Sequence, residues 1–397
     1  MLIEIILFII FGIFAGTLTG LLPGIHINLV GAILVSLSAS VLSSLNPIFL
    51  IVFIASMAIT HTFVDFIPSI FLGCPDTETQ LSILPGHELL KEGKGYEAIM
   101  LTAIGGICAV VILLIVSFPL AFGISKIYDS VHSFMFWILL ATFVILILTE
   151  KRKLTALLVF IVSGIFGLCV LNLELKDPLL PLLSGLFGSS LLITSINNKT
   201  KIPQQEINNP KEKIVRPLIG SLISSPLCGF LPGLGSGQAA ILGNTISKTD
   251  KKGFLILIGA TNILVMGLSF VSLYAISKTR TGAAAAIQEI IGALSWRILL
   301  IVLLVVLISG ILSFFITRFL AKFLANKISR INYSILSIAT LIFLTLIVFL
   351  FSGWIGLLIL LASTLVGIHF NSLEVKKTNM MGCLLVPTMI YYFLRII

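Results

Sequence analysis

Gly16-Thr-Leu-Thr-Gly-Leu-Leu-Pro-Gly-Ile-His-Ile-Asn28 stands near the start of the chain, and Gly229-Phe-Leu-Pro-Gly-Leu-Gly-Ser-Gly-Gln-Ala-Ala240 stands past its middle. Each sets small residues before a Pro-Gly pair, Pro23-Gly24 or Pro232-Gly233, and a second apolar arm after it. Proline lacks an N–H and glycine tolerates left-handed torsions, so each pair ends one helix and lets the chain reverse. A long apolar run follows in both cases and ends in a polar cluster. The first cluster is Gly73-Cys-Pro-Asp-Thr-Glu-Thr-Gln80, the second Ser277-Lys-Thr-Arg-Thr-Gly282. The pattern is that of an internal duplication with a helical hairpin in each copy.

Working outward, the 397 residues are 58% hydrophobic and 10% charged, whereas soluble domains run near 25% charged. That balance excludes a soluble enzyme, a disordered scaffold and a nucleic-acid binder. The net charge of +9 sits in short gaps between apolar runs, where it reports topology. The runs fall near 2–22, 25–45, 47–72, 98–124, 131–149, 154–173 and 179–196, then near 217–231, 233–247, 254–277, 291–317, 331–351, 353–371 and 380–397. The arms 217–231 and 233–247 are about 15 residues each, or roughly 22 Å. That is short of a ~30 Å hydrocarbon core, so a re-entrant hairpin is the natural reading. The first pair of arms is nearer full length, and a re-entrant or a fully spanning hairpin remains open there. Seven segments per half turn the second half over relative to the first. The expected fold is an all-α polytopic membrane protein of two inverted-topology repeats, with about 10 full spans and two hairpins. The first repeat covers residues 1–197, a cytoplasmic linker 198–216, and the second repeat 217–397.

The basic residues orient this arrangement. With the N-terminus outside, 19 of the 25 Lys and Arg fall inside, among them Lys151, Arg152, Lys153 and the linker cations. Lys126, Lys176, Lys278 and Arg280 fall outside, and Arg297 and Arg395 lie near span ends. This satisfies the positive-inside rule. Trp137, Trp296 and Trp354 lie near span ends, as interface anchors would. The five cysteines are widely spaced and form no Cys-x-x-Cys pair, so no metal site or disulfide framework is expected.

Ionisable residues within a span are costly and usually functional. Asp65 lies in an apolar run with His61 four residues earlier on the same helical face, and Thr60 and Thr62 add hydroxyls. His61, Thr62 and Asp65 are therefore candidates for binding a proton or Na⁺. A buried His–Asp pair that only fixes helix packing would give the same pattern. For substrate, the glycine-rich start of the arm after Pro232 offers free N–H groups with Gly233, Gly235, Ser236, Gly237 and Gln238. Small glycines also serve close helix packing. Gly24, His26, Asn28 and Asn262 are polar or flexible positions at plausible midplane depth, where interhelical glue is the plainer role. Asp76, Thr77 and Glu78 line a polar loop that either folds back into the membrane or is solvated. Lys278 and Arg280 could attract an anion, the arginine through its planar fork, or lie in an exposed outer loop.

The stretch Phe66-Ile-Pro-Ser-Ile-Phe-Leu-Gly-Cys-Pro-Asp-Thr-Glu-Thr-Gln80 with Leu84-Pro-Gly-His-Glu-Leu-Leu-Lys-Glu-Gly-Lys-Gly-Tyr-Glu-Ala98 resembles the large membrane subunits of tripartite tricarboxylate transporters, the TctA family. Pro232-Gly233-Leu-Gly-Ser-Gly-Gln-Ala-Ala resembles that family's second hairpin, and Thr261-Asn262 sits where an Asn-rich span would be. In place of another Pro-Gly loop the second half carries Lys278-Thr-Arg-Thr281. The resemblance implies a cation-coupled secondary transporter acting with a small membrane subunit and an extracytoplasmic binding protein. The expected activity is alternating-access movement of a small organic anion of carboxylate class across the cell membrane. A translocase of polyprenyl-phosphate or other lipid-phosphate substrates would use the same hairpins. An intramembrane enzyme built on His61, Asp65 and Ser236 is the remote alternative. No cofactor is expected beyond a coupling Na⁺ or proton, and no catalytic or metal-ligating residue is assigned. Membrane lipids are expected partners, nucleic acid is not, and a homo-oligomer remains open.

Overall fold

The computed structural model describes residues 2–22, 35, 45–73, 79–175, 178–197, 202–230, 236–329, 332–373, 375 and 377–394. Gly24, His26, Asn28, Asp76, Thr77, Glu78, Gly233 and Gly235 lie outside the described residues, as do both Pro-Gly pairs. Among the described residues the regular structure is helical throughout, and 8 helices are long and apolar enough to cross a membrane. The fold divides into two compact units, and each draws on both halves of the sequence.

The first unit comprises residues 1–68, 96–128 and 207–324. It opens with α1 (Leu2–Leu21) and α2 (Pro47–Val64), continued after Asp65 by α3 (Phe66–Leu72). Asn46 caps α2, accepting from Ile48 N, and Pro47 takes the first position, where no N–H is needed. Gly12, Gly16 and Gly20 form a small-residue stripe along α1. A Cβ on Gly12 would strike Ser56, one on Gly16 would lie 2.4 Å from Met57 O, and one on Gly20 2.9 Å from Val64 Cβ. Positions along both helices rise together, so α1 and α2 run parallel at close approach, as small-xxx-small packing allows.

Later in the chain come α9 (Val215–Phe230), α10 (Ser236–Ser247) and α11 (Lys251–Ile276). Gly220 meets Ser247 and Gly243 meets Ser224, so α9 and α10 are antiparallel. Pro217 meets Gly253 and Gly229 meets Leu268, so α9 and α11 are parallel, the relation α1 has to α2. The N-terminal part of α5 (Gly95–Leu148) also runs parallel to α11. Glu97 accepts from Lys252 Nζ at 2.6 Å, Thr102 meets Gly259 and Leu113 meets Gly267. The unit closes with α12 (Gly282–Ile291) and α13 (Trp296–Ile328). Trp296 packs against Phe118, Phe122 and Tyr274.

The second unit comprises residues 69–95, 129–206 and 325–397. It holds α4 (Ile83–Lys91), α6 (Lys153–Leu171), α7 (Leu179–Leu183), a π-helical turn at Ser184–Ser189, α8 (Ser190–Asn197), α14 (Tyr333–Ser372) and α15 (Gly382–Phe393). Gly167 and Gly382 let α6 and α15 cross in contact, while Gly185 and Gly367 do so for the π turn and α14. Gly353, at φ +61, breaks α14, which matches the division expected between 331–351 and 353–371. The expected gap near 125–130 is instead helical, and α5 continues through it. The described part of the linker is strapped to the elbow between α4 and α5. Gly95 N donates to Gln205 Oε1 at 2.7 Å and Glu206 N donates to Gly93 O at 2.8 Å.

Candidate functional site

The first unit gathers polar groups at the C-terminal end of α2 and near the middle of α11. His61 and Asp65 are 3% and 4% exposed, which for ionisable groups in an apolar helix is costly unless partnered. Asp65 closes α2, and its N–H donates to His61 O at 2.9 Å, so the expected four-residue relation holds. His61 Nδ1 lies 3.0 Å from Thr19 Oγ1 of α1. Thr19 also donates to Gly16 O at 3.2 Å, which leaves its oxygen to accept from the imidazole. Thr62 donates to Ala58 O within its own helix. Thr60 donates to Ser56 O and accepts from Ser313 Oγ of α13 at 2.8 Å. Phe63 of α2 and Ile263 of α11 both meet Gly106 of α5, which sets Thr261 and Asn262 at the depth of the His61 turn. Thr261 and Asn262 are fully enclosed.

A second cluster surrounds the end of α9 at Phe230. Ser277 takes the left-handed conformation, φ 52 and ψ 33, which ends α11 and folds the following segment back along it. Ser269 Oγ then accepts from Arg280 N at 3.2 Å and Thr281 N at 3.1 Å. Arg280 is thereby carried to the last carbonyl of α9. Its Nε donates to Phe230 O at 2.7 Å, and Nη2 donates to the same oxygen. A cation suits that helix end, where the carbonyl dipoles point. Lys278 Nζ donates to Tyr128 Oη at 3.0 Å and sits 4.3 Å from the ring centroid. Arg280 Nη2 approaches the same phenol oxygen at 3.4 Å. Two cations thus share one neutral acceptor, and among the described residues neither is paired with a carboxylate. Ser236, 2% exposed, begins α10.

Residues 6–382 match the tripartite tricarboxylate transporter TctA family. The chain belongs to the TctA family. An uncharacterized protein of Methanocaldococcus jannaschii is 32% identical over 402 residues, covering 98% of this chain and 99% of its own length. No solved structure matches. TctA is a transporter family, and its members work with a small membrane subunit and a periplasmic binding protein.

Against that identity, the TctA fold brings the sequence candidates together in two places. His61, Thr62 and Asp65 share the α2 turn, with Asn262 at the same depth. Lys278 and Arg280 stand at the end of α9, near the start of the arm with Ser236, Gly237 and Gln238. Several groups escaped the sequence reading. Thr19, Ser313 and Tyr128 each come from a distant helix, although the Gly12, Gly16, Gly20 stripe does signal that α1 lies close to a neighbour. In the second unit His87 is buried, with Nδ1 2.9 Å from Ile70 O and Nε2 2.5 Å from Tyr333 Oη. A carbonyl only accepts, so Nδ1 carries the proton and Nε2 accepts from the tyrosine. Gly73, at φ +67, lies against that ring, and Ser69 Oγ lies 2.6 Å from Thr79 Oγ1.

Proposed function

We propose that this TctA chain is a secondary transporter that moves a small organic anion of carboxylate class by alternating access between two inverted halves. The observation that carries the reading is that Lys278 and Arg280, neither paired with a carboxylate among the described residues, converge on Tyr128 beside the end of α9. Two like charges held near one phenol repel, and a carboxylate arriving between them relieves that repulsion. Arg280 can present two parallel N–H groups to it. The start of α10, with Ser236, Gly237 and Gln238, adds backbone donors and a favourable dipole end. Substrate then passes to the midplane, where Asn262 and the first hairpin complete its site. The helix registers support a duplication: α1 is parallel to α2 as α9 is to α11.

Coupling runs through the α2 turn. His61 and Asp65 exchange a proton or hold Na⁺ with Thr62, and Thr19 and Ser313 transmit the change to α1 and α13. The orientation set by the basic residues puts the N-terminus outside and the linker in the cytoplasm of the cell. A small membrane subunit and an extracytoplasmic binding protein would deliver substrate to the Lys278 face.

Uptake into proteoliposomes tests this. Asp65→Asn keeps the side chain's size and shape while removing the charge. Ion-driven uptake is expected to fall by about 100-fold or more, with melting temperature retained. Full uptake in that variant removes Asp65 from the mechanism. Flipping of a polyprenyl phosphate without carboxylate uptake would replace the cargo by the lipid class.

A further inference from the structure

We infer that the second unit retains one anionic membrane phospholipid, with a chain in the groove between α5, α6 and α15 and its phosphate on Lys151 and Lys153. The groove has a volume of about 470 Å³, within the range of small-ligand sites. Phe136 and Phe143 of α5, Phe160 of α6 and Phe393 of α15 wall it, and every side chain that lines it is apolar.

The helix packing makes this space. α5 ends at Leu148 and α6 begins at Lys153. Phe143 and Phe160 stand on opposite sides of that turn with ring centroids 4.5 Å apart, so the two helices are antiparallel. α15 seats on α6 through its glycines: a Cβ on Gly164 would lie 2.4 Å from Val386 Cγ2, and one on Gly167 2.0 Å from Cys383 O. Farther from the turn, Phe136 and Phe393 meet with centroids 5.2 Å apart. Ile161, Ile165 and Ile390 are exposed at the rim, so the groove opens sideways from helices that are apolar enough to lie in a bilayer.

Any bilayer lipid can cover an apolar face, and charge selects among them. Lys151, Arg152 and Lys153 fill the turn between α5 and α6, and all three are exposed. The adjacent carboxylate, Glu150, is buried and accepts from Asn379 Nδ2 at 3.0 Å, so the turn presents positive charge outward. Basic sites beside spans hold anionic lipid headgroups, and the first N–H groups of α6 favour a phosphate at the same end. The spacing joins the two parts. Phe160 and Ile165 lie seven and twelve residues past Lys153, roughly 10 and 18 Å along the helix. One leaflet's share of a ~30 Å hydrocarbon core is ~15 Å, so a lipid with its phosphate on the lysines lays its chain along the groove. Lys278 and Arg280 belong to the other unit. A lipid held here is therefore a ligand of the fold, whatever substrate is transported.

The test uses the purified full-length protein in detergent, with thermal unfolding and native mass spectrometry as readouts. Dioleoyl phosphatidylglycerol is compared with dioleoyl phosphatidylcholine, which has the same chains and no net charge. Dihexanoyl phosphatidylglycerol has the same headgroup and chains too short to fill the groove. A saturable rise in melting temperature of several degrees and one retained lipid per chain are expected with the dioleoyl anionic lipid only. The variant K151Q/K153Q is expected to raise the lipid needed for half effect about 30-fold. Ile165→Trp crowds the rim and is expected to reduce the retained lipid at least tenfold. Arg280→Gln is expected to leave the response unchanged, which separates this site from any lipid-phosphate cargo. Equal rises with the two dioleoyl lipids, or as large a rise with the short-chain one, overturn the inference. So does an unchanged response in K151Q/K153Q, or a dimer that carries no phospholipid, the mark of a second copy seated on the groove. Should the lysine variant not fold, undiminished lipid retention by Ile165→Trp overturns it as well.

Discussion

Gly16→Ala is the sharpest probe of how α1 reaches the His61 turn. The added Cβ would lie 2.4 Å from Met57 O, 2.8 Å from Thr60 Cβ and 3.1 Å from His61 N. Two of these are backbone atoms of α2, which cannot swing aside. Ordinary contact needs α1 to retreat by about 1 Å. The Thr19–His61 bond, 3.0 Å in the native packing, then stretches to about 4 Å and is lost. Overpacking costs roughly 1–3 kcal/mol and the bond about 1 kcal/mol more. A loss of some 2–4 kcal/mol is therefore expected, partly offset by the better helix propensity of alanine, about 1 kcal/mol. Gly123→Ala is the matched control, because its Cβ would meet nothing within 4 Å. The assay is thermal unfolding of the purified protein, with ion-driven uptake measured in parallel. Gly16→Ala is expected to melt several degrees lower and to lose uptake, while Gly123→Ala melts at or above the native temperature. Equal melting temperatures for the two variants would refute the close approach of α1 to α2, and with it the contact that orients His61.

Two further outcomes follow from other crossings. In α5 and α11, a Cβ on Gly105 would lie 2.1 Å from Ile256 O, and one on Gly259 2.1 Å from Thr102 O. Either alanine alone should part the helices, so the double variant should be less destabilised than the sum by about 1 kcal/mol or more in a double-mutant cycle; strict additivity would contradict a shared contact. Tyr333→Phe removes the donor to His87 Nε2 and should lower stability by about 1–3 kcal/mol, while His87→Phe in that background should cost less than in the native protein; independent effects would mean the pair is not coupled.

Much of this was legible because helical period and chain breakers act locally. The apolar run 47–72 became α2 and α3, and His61 and Asp65 share a turn because they are four residues apart. Gly353 divides α14 where the apolar runs divide. Ile124–His132 contains neither glycine nor proline, and polarity alone does not end a helix, so α5 runs through the expected loop. Gly282–Ile291 is apolar but only 10 residues long, too short to register as a span, yet Thr281 caps it into α12, its hydroxyl accepting from Ala284 N. The place of Arg280 was out of reach. Its polar cluster was visible, but the fold-back depends on Ser277 turning left-handed and on Ser269, eleven residues earlier, holding two N–H groups. Thr19 and Tyr128 are separated by 42 and 152 residues from the side chains they touch, His61 and Arg280, distances over which local pattern carries no information.

Equilibrium binding of radiolabelled citrate to the purified protein, native and Arg280→Gln, tests the transport reading most directly. Saturable binding is expected in the native protein, weakened about 30-fold or more in the variant, the worth of a charge-paired carboxylate losing its partner. Native protein that binds no carboxylate, or a variant that binds as tightly as the native one, would contradict it.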